Sequence, residues 1–221
     1  AMNYLITGGT GFIGTHLRTR LLRDGHTVTV ITRSPDRYRS EAAQNQRFVG
    51  WDDLDRVISG QDVVINLAGE NLFGKRWSEP VKKSLHESRI GSTRHLVDAI
   101  QSASAPPSLL VSASAIGYYG DRGTELLDGP SVPGDDFLAR LRGEQAGIRV
   151  ALPRFGVALH GKGGMLEKLR IPFFFFVGGT VGSGRQYIPW VHLDDLCDAL
   201  IHPVENENFS GPYNVCTPEP A

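Results

Sequence analysis

Cysteine is nearly absent: Cys197 and Cys216 are the two in 221 residues, with no CxxC pair and no metal-type spacing to the seven histidines. Neither a disulfide framework nor a zinc site is expected, and no metal ligand set is assigned. Excess charge of one sign is missing too. With 23 basic and 24 acidic residues the net charge is −1, so no broad field draws nucleic acid or anionic lipid, and any anion has to be bound locally. Long apolar runs are lacking: the uncharged stretch 171–184, IPFFFFVGGTVGSG, holds a proline and four glycines. It falls short of the roughly 20 apolar residues that a membrane span needs. The N-terminus has no basic segment leading into an apolar stretch, so no secretory signal is expected, and the few thiols fit a reducing cytoplasm.

What remains is the pattern of a folded domain. The chain is 40 % hydrophobic, enough to bury a full core as one large domain or one domain with an appendage. Short β-branched runs alternate with helical periodicity. Asn3 to Thr7 reads as a strand; Phe12 to Asp24 follows as a helix with Ile13, Leu17 and Leu21 four apart, ended by Gly25. Thr27 to Ile31 reads as the second strand, Arg47 to Gly50 as a third, Asp62 to Leu67 and Leu109 to Ser112 as two more, with a helix ending in HLVDAI between them. Strand and helix in steady succession predict an α/β fold with a parallel sheet covered on both faces, whose ligands bind beyond the carboxyl ends of the strands.

Between the first strand and its helix stands TGGTGFIG. Gly8 allows a tight turn, Gly11 a close approach of backbone to a pyrophosphate, and Gly14 tight packing of helix on sheet, while the helix start presents unpaired NH groups to an anion. Gly8, Thr10, Gly11, Phe12, Ile13 and Gly14 are the cofactor-binding positions of this loop. An NAD site carries an acidic residue after the second strand to bind the ribose 2′-hydroxyl; here Thr32, Arg33 and Ser34 stand there instead. Arginine pairs with the extra phosphate of NADP, so NADP is the expected cofactor, with NAD also possible. A solvated surface arginine is the alternative for Arg33.

Taken together, TGGTGFIG, NLAGE after the fourth strand, SASAIGYYG and GSGRQYIPWVHLDDL resemble the NAD(P)-dependent epimerase/dehydratase branch of the atypical, extended short-chain dehydrogenases/reductases. The resemblance implies a Rossmann fold, a doubly wound parallel sheet with helices on both faces, over residues 2–155. It implies a small C-terminal substrate lobe over 156–221, interleaved with the last sheet strands and truncated at NVCTPEPA. By the same likeness Leu67, Ala68 and Gly69 line the nicotinamide-side ribose, and Ser112 and Ala113 lie beside the cofactor. The connection from Phe137 to Val150 is shorter than the resemblance predicts.

The broader family pairs a serine or threonine with YxxxK, the lysine lowering a phenol that otherwise titrates near pH 10. No tyrosine here has lysine four residues on. Ser114 matches the family's serine and is placed to hydrogen-bond a substrate oxygen as charge develops. Tyr118 or Tyr119 would then supply the proton, with Arg122 or the oxidised nicotinamide favouring phenolate; packing against the nicotinamide is the alternative role for both. Two functions follow. One is an NADP-dependent oxidoreductase or epimerase acting on a carbonyl or carbinol carbon of a small molecule, possibly one resembling a nucleotide sugar; the other is a non-catalytic protein that senses NADP(H). No nucleic-acid or membrane partner is expected, and oligomeric state is open.

Smaller features complete the pattern. Asn66 reads as a cap on the fourth strand. Arg89 either reaches the site or lies on a solvated helix face, and Lys75, Arg76 and Trp77 either clamp an acidic substrate or form a surface turn. Asp194 and Asp195 start a helix. Phe173 to Phe176 are too many to expose and are expected under a lid or in an apolar pocket.

Overall fold

Successive strand residues point to opposite faces of a sheet, so a strand buried on both sides is apolar at every position. The central strands follow that rule. In the computed structural model, which describes residues 1–69, 79–115, 147–179, 184 and 187–219, with backbone alone for 79–89 and 115, Ile6, Val30, Ile65 and Val111 pack on one face against Leu17 and Leu21 of the first helix. Leu5, Val64 and Leu110 pack on the other against Leu96 and Ile100.

The elements run β1 (Asn3–Thr7), α1 (Phe12–Arg23), β2 (Thr27–Ile31), a 3-10 turn (Pro35–Glu41), β3 (Gln46–Val49), a short α2 (Leu54–Val57), β4 (Val63–Asn66), α3 (Glu79–Ser102), β5 (Leu109–Ser112), β6 (Ser114–Ala115) and β7 (Arg149–Phe155). Then come β8 (Val157–His160), α4 (Gly164–Phe174), β9 (Trp190–His192), α5 (Leu193–Glu205) and β10 (Gly211–Val215). Seven strands form one sheet in the order β3-β2-β1-β4-β5-β7-β10, with short β6 beside β7 and every pairing parallel. Helices α1 and α5 cover one face and α2 and α3 the other. This is the Rossmann-like doubly wound α/β fold. A separate parallel pair, β8 and β9, adjoins it.

Chain direction sets where a ligand can sit. After β1 the chain moves to β2 and β3, then returns to the other side of β1 at β4. That reversal opens a crevice at the carboxyl ends of β1 and β4.

Helix α1 stops at Arg23, where Gly25, at φ +83°, turns the chain away; the sequence had suggested Asp24. The third strand lies one residue earlier than expected, because the Val28 NH already bonds the Asn45 carbonyl and Gly50 leads into a turn at Trp51–Asp53. The fourth is shorter than 62–67: beyond Asn66 the backbone leaves the ladder for the crevice. The larger correction concerns Phe173 to Phe176. Helix α4 contains Pro172 and closes in turns in which the Phe176 NH bonds the Phe173 carbonyl and the Val177 NH that of Pro172. These turns carry the four rings to the surface, Phe176 being 97 % exposed, with no lid over them among the described residues. None of the described helices is long and apolar enough to cross a membrane.

Candidate active site at the carboxyl ends of β1, β4 and β5

The loop after β1 is shaped by contacts that leave no room for side chains. Gly8 sits at φ +70°, and a Cβ there would lie 2.5 Å from the Leu67 carbonyl oxygen. At Gly14 a Cβ would run into the Gly8 carbonyl and lie 2.6 Å from Gly9 Cα. The two loops of the crevice are therefore in backbone contact, and the first turn of α1 is packed under the loop that precedes it. The Gly11 NH closes the turn on the Gly8 carbonyl at 3.0 Å, and the Thr15 NH bonds the Gly11 carbonyl at 2.8 Å.

Helix α1 starts without a cap. Gly11, at the N-cap, makes no side-chain hydrogen bond, and the first turn holds no acidic residue. The opening NH groups of a helix have no intrahelical acceptor and carry the positive end of its dipole. Those of Phe12, Ile13 and Gly14 thus form an anion cradle whose walls are glycine backbone. Its chemistry suits the diphosphate of a dinucleotide.

A buried polar network braces the opposite lip. Thr7 Oγ1 donates to Asn66 Oδ1 at 2.6 Å; Asn66 Nδ2 donates to Ser112 Oγ at 3.2 Å and to Thr93 Oγ1 of α3 at 3.3 Å. The Ala68 NH donates both to Thr7 Oγ1, at 3.2 Å, and to Asn66 Oδ1, at 3.3 Å. Asn66 is thus more than a strand cap: it ties β1, β4, β5 and α3 together and sets the direction of Leu67–Gly69. The Ser112 hydroxyl is engaged by this network, whereas Ala113, half-buried, turns its NH to the Asn66 carbonyl at 2.9 Å.

Beyond β2, Thr32 is buried and its hydroxyl accepts from the Ser34 NH at 3.4 Å. Arg33 and Ser34 are exposed at the strand's carboxyl end, and Arg33 pairs with no described carboxylate. Ser114 lies in β6, 8 % exposed, in register with Arg154 of β7. Arg154 shares the face of Val150 and Leu152 by strand alternation and is buried. The sequence pass overlooked it, although an arginine inside RVALPRF is a charge in an otherwise apolar strand. Tyr118, Tyr119, Arg122, Phe137 and the Lys75–Trp77 segment lie outside the described residues, as does the side chain of Arg89.

A second group also went unnoticed. His192 caps α5, its Nδ1 accepting from the Asp194 NH at 3.3 Å, which places Asp194 and Asp195 in the first turn as expected. Asp194 Oδ1 lies 2.6 Å from His16 Nε2 on α1. The hydrogen bond with His16 holds the Asp194 carboxyl below the usual carboxylate range. Burial pushes the Cys197 thiol up to about 12, which makes it an inert core residue.

Comparisons with known proteins agree with this geometry. The family model described as the NAD dependent epimerase/dehydratase family matches residues 4–137. The chain is 38 % identical over 233 residues to the epimerase family protein YfhF of Bacillus subtilis, covering 99 % of this chain and 75 % of that one. It is 36 % identical over 229 residues to the epimerase family protein SAR0825 of Staphylococcus aureus, covering 98 % and 75 %. Among solved structures, human epimerase family protein SDR39U1 (isoform 2), crystallised with NADPH, superposes with a TM-score of 0.82 at 34 % identity, over 100 % of this chain and 76 % of that chain. A UDP-glucuronic acid 4-epimerase from Bacillus cereus, in complex with NAD, superposes with a TM-score of 0.79 at 21 % identity, over 100 % and 80 %, and shares the fold.

Proposed function

The chain belongs to the NAD dependent epimerase/dehydratase family, and from that premise we propose that it binds NADP(H) and acts as an oxidoreductase or epimerase on a carbonyl or carbinol carbon of a small molecule. The observation that carries this reading is the uncapped, acid-free start of α1 behind Gly8, Gly11 and Gly14, set at the point where strand order reverses. The diphosphate rests on the NH groups of Phe12, Ile13 and Gly14, with Thr10 beside it. Leu67, Ala68 and Gly69, held in place by Asn66, border the nicotinamide-side ribose. Arg33, with Thr32 and Ser34, takes the 2′-phosphate; the absence of a carboxylate after β2 and the NADPH bound by the human relative both support NADP over NAD.

The bound nicotinamide supplies or accepts the hydride. The chain's own residues handle the oxygen and its proton. Ser114, at the carboxyl edge beside β7, donates a hydrogen bond to the substrate oxygen as negative charge grows on it. Arg154, in register with Ser114, brings positive charge to that end of the sheet. Tyr118 or Tyr119 transfers the proton. Free thiols at Cys197 and Cys216 support a cytoplasmic setting.

The missing YxxxK favours a second reading, a protein that binds NADP(H) without turnover. Titration by nicotinamide fluorescence, with NADPH binding ahead of NADH, tests what the two share; binding of neither refutes both. Arg33→Asp reverses the preference, and an unchanged ratio removes Arg33 from the 2′-phosphate site. A screen with NADPH against small carbonyl compounds and nucleotide sugars separates the readings: NADPH consumption supports the enzyme, silence the sensor.

A further inference from the structure

A cleft of about 690 Å³ runs along the outer flank of α1. Thr10, Gly11 and Phe12 line it on the side of the phosphate loop, and His160 and Lys162 on the other. The second wall is a tight hairpin. Leu159 bridges Gly164 and His160 bridges Gly163, so Gly161 and Lys162 form a two-residue loop whose ends are held by backbone pairing. The Lys162 NH reaches back to His160 Nδ1 at 3.3 Å.

This hairpin is seated on the first residue of α1. A Cβ on Gly163 would lie 2.5 Å from Phe12 Cε2, and one on Gly164 would lie 3.0 Å from Phe12 Cε1, with Gly164 at φ +70°. Only bare backbone can approach that ring so closely. The position of Lys162 relative to the helix start is therefore set by a packed contact.

The charges around it lack a partner. Lys162 is exposed and forms no ion pair among the described residues. The carboxylate on the cleft wall, Asp194, is taken by His16, and the first turn of α1 has no acid. A lone cation beside the positive end of a helix dipole is an unfavourable arrangement, and an anion between them turns repulsion into attraction on both sides.

We propose that the Gly161–Lys162 hairpin is a clasp on the cofactor's diphosphate, Lys162 supplying the charge and the Gly163–Gly164 backbone on Phe12 fixing its reach. The clasp rests on the reading that α1 receives a dinucleotide. It has a distinct signature, because the diphosphate is common to NADP and NAD whereas the 2′-phosphate is not. Lys162 therefore acts on both cofactors by the same factor, and Arg33 on one.

The test titrates wild type, Lys162→Arg and Lys162→Glu with NADPH, NADH and adenosine 2′-monophosphate at constant ionic strength. Lys162 is on the surface, and equal melting temperatures confirm intact folding. Lys162→Glu is expected to raise Kd for both dinucleotides at least about tenfold, equivalent to roughly 1.4 kcal/mol, to leave the nucleotide without a diphosphate unaffected, and to be largely rescued by Lys162→Arg. Unchanged dinucleotide constants against a binding wild type overturn the clasp alone. So does weakening confined to NADPH, which would assign Lys162 to the 2′-phosphate. A wild type that binds neither dinucleotide overturns the proposed function and the clasp with it.

Discussion

Replacing Gly14 with alanine tests whether the turn before α1 is a cradle or merely a loop. The added methyl would lie 2.6 Å from Gly9 Cα and 2.9 Å from Gly9 C, and would run into the Gly8 carbonyl oxygen. Ordinary contact begins at 3.4 Å, so loop and helix must part by about 0.8 Å. Every atom involved is backbone, and no side-chain rotation can relieve the clash. Overpacking of this kind costs about 1–3 kcal/mol. In a domain of this size each kcal/mol lowers Tm by about 2–4 °C. The effect on ligand binding is larger than on folding, because the displaced atoms carry the NH groups aimed at the anion. A hydrogen bond to a charged group contributes about 1.5–3 kcal/mol, so losing the alignment of one or two weakens NADPH by roughly ten- to a thousandfold. Nicotinamide fluorescence gives Kd and calorimetry gives Tm. Gly50→Ala is the control: its φ of −73° and ψ of 161° suit alanine, and open space surrounds the site. It should leave binding alone and slightly stabilise the fold. A Gly14→Ala protein with wild-type affinity for NADPH would refute the placement of the diphosphate at this turn.

Two further outcomes follow from the side chains around the crevice. Asn66→Ala strands the Thr7 hydroxyl and removes the donor to Ser112 and Thr93, so it costs about 2–4 kcal/mol at roughly 1–3 per orphaned buried group; chemical denaturation measures it, and a loss below 0.5 kcal/mol would show the network to be idle. Asp194 is held below its ordinary range by His16; a carboxylate with a depressed folded-state pKa stabilises the fold above its unfolded value of about 3.9 and loses that contribution as pH falls through the folded one. Tm measured downward from pH 5 should therefore fall less steeply in Asp194→Asn than in wild type, and identical slopes would remove the α1–α5 tie from the acid response.

The elements readable in the letters are those whose causes are local. Alternation in NYLIT and TVTVI placed β1 and β2 to the residue, and TGGTGFIG placed the turn, because the clash that forbids a side chain at Gly14 comes from Gly8 and Gly9, six and five residues away. The open helix start and the arginine after β2 are likewise properties of short stretches. Contacts that span the chain left weaker traces. His16 and Asp194 are 178 positions apart, and neither letter implies the other until α1 and α5 share a face of the sheet. Arg149 donates to the carbonyls of Pro203, Asn206 and Phe209, stapling β7 to the end of α5, yet in the sequence it is one arginine before an apolar run.

Glycine is the intermediate case and shows where the limit lies. Gly8 is required as much by the Leu67 carbonyl, far along the chain, as by its own turn, and Gly163 by the ring of Phe12. A glycine thus marks in the sequence that something approaches, while the topology alone names what. Asn66 has no such mark, since an amide at a strand end fits many surroundings; its role exists only because β1, β4 and β5 are neighbours in the sheet. The same holds for Lys162, whose neighbouring glycines advertise a close approach that becomes a statement about chemistry once the approached residue proves to be the first of the helix that faces the anion.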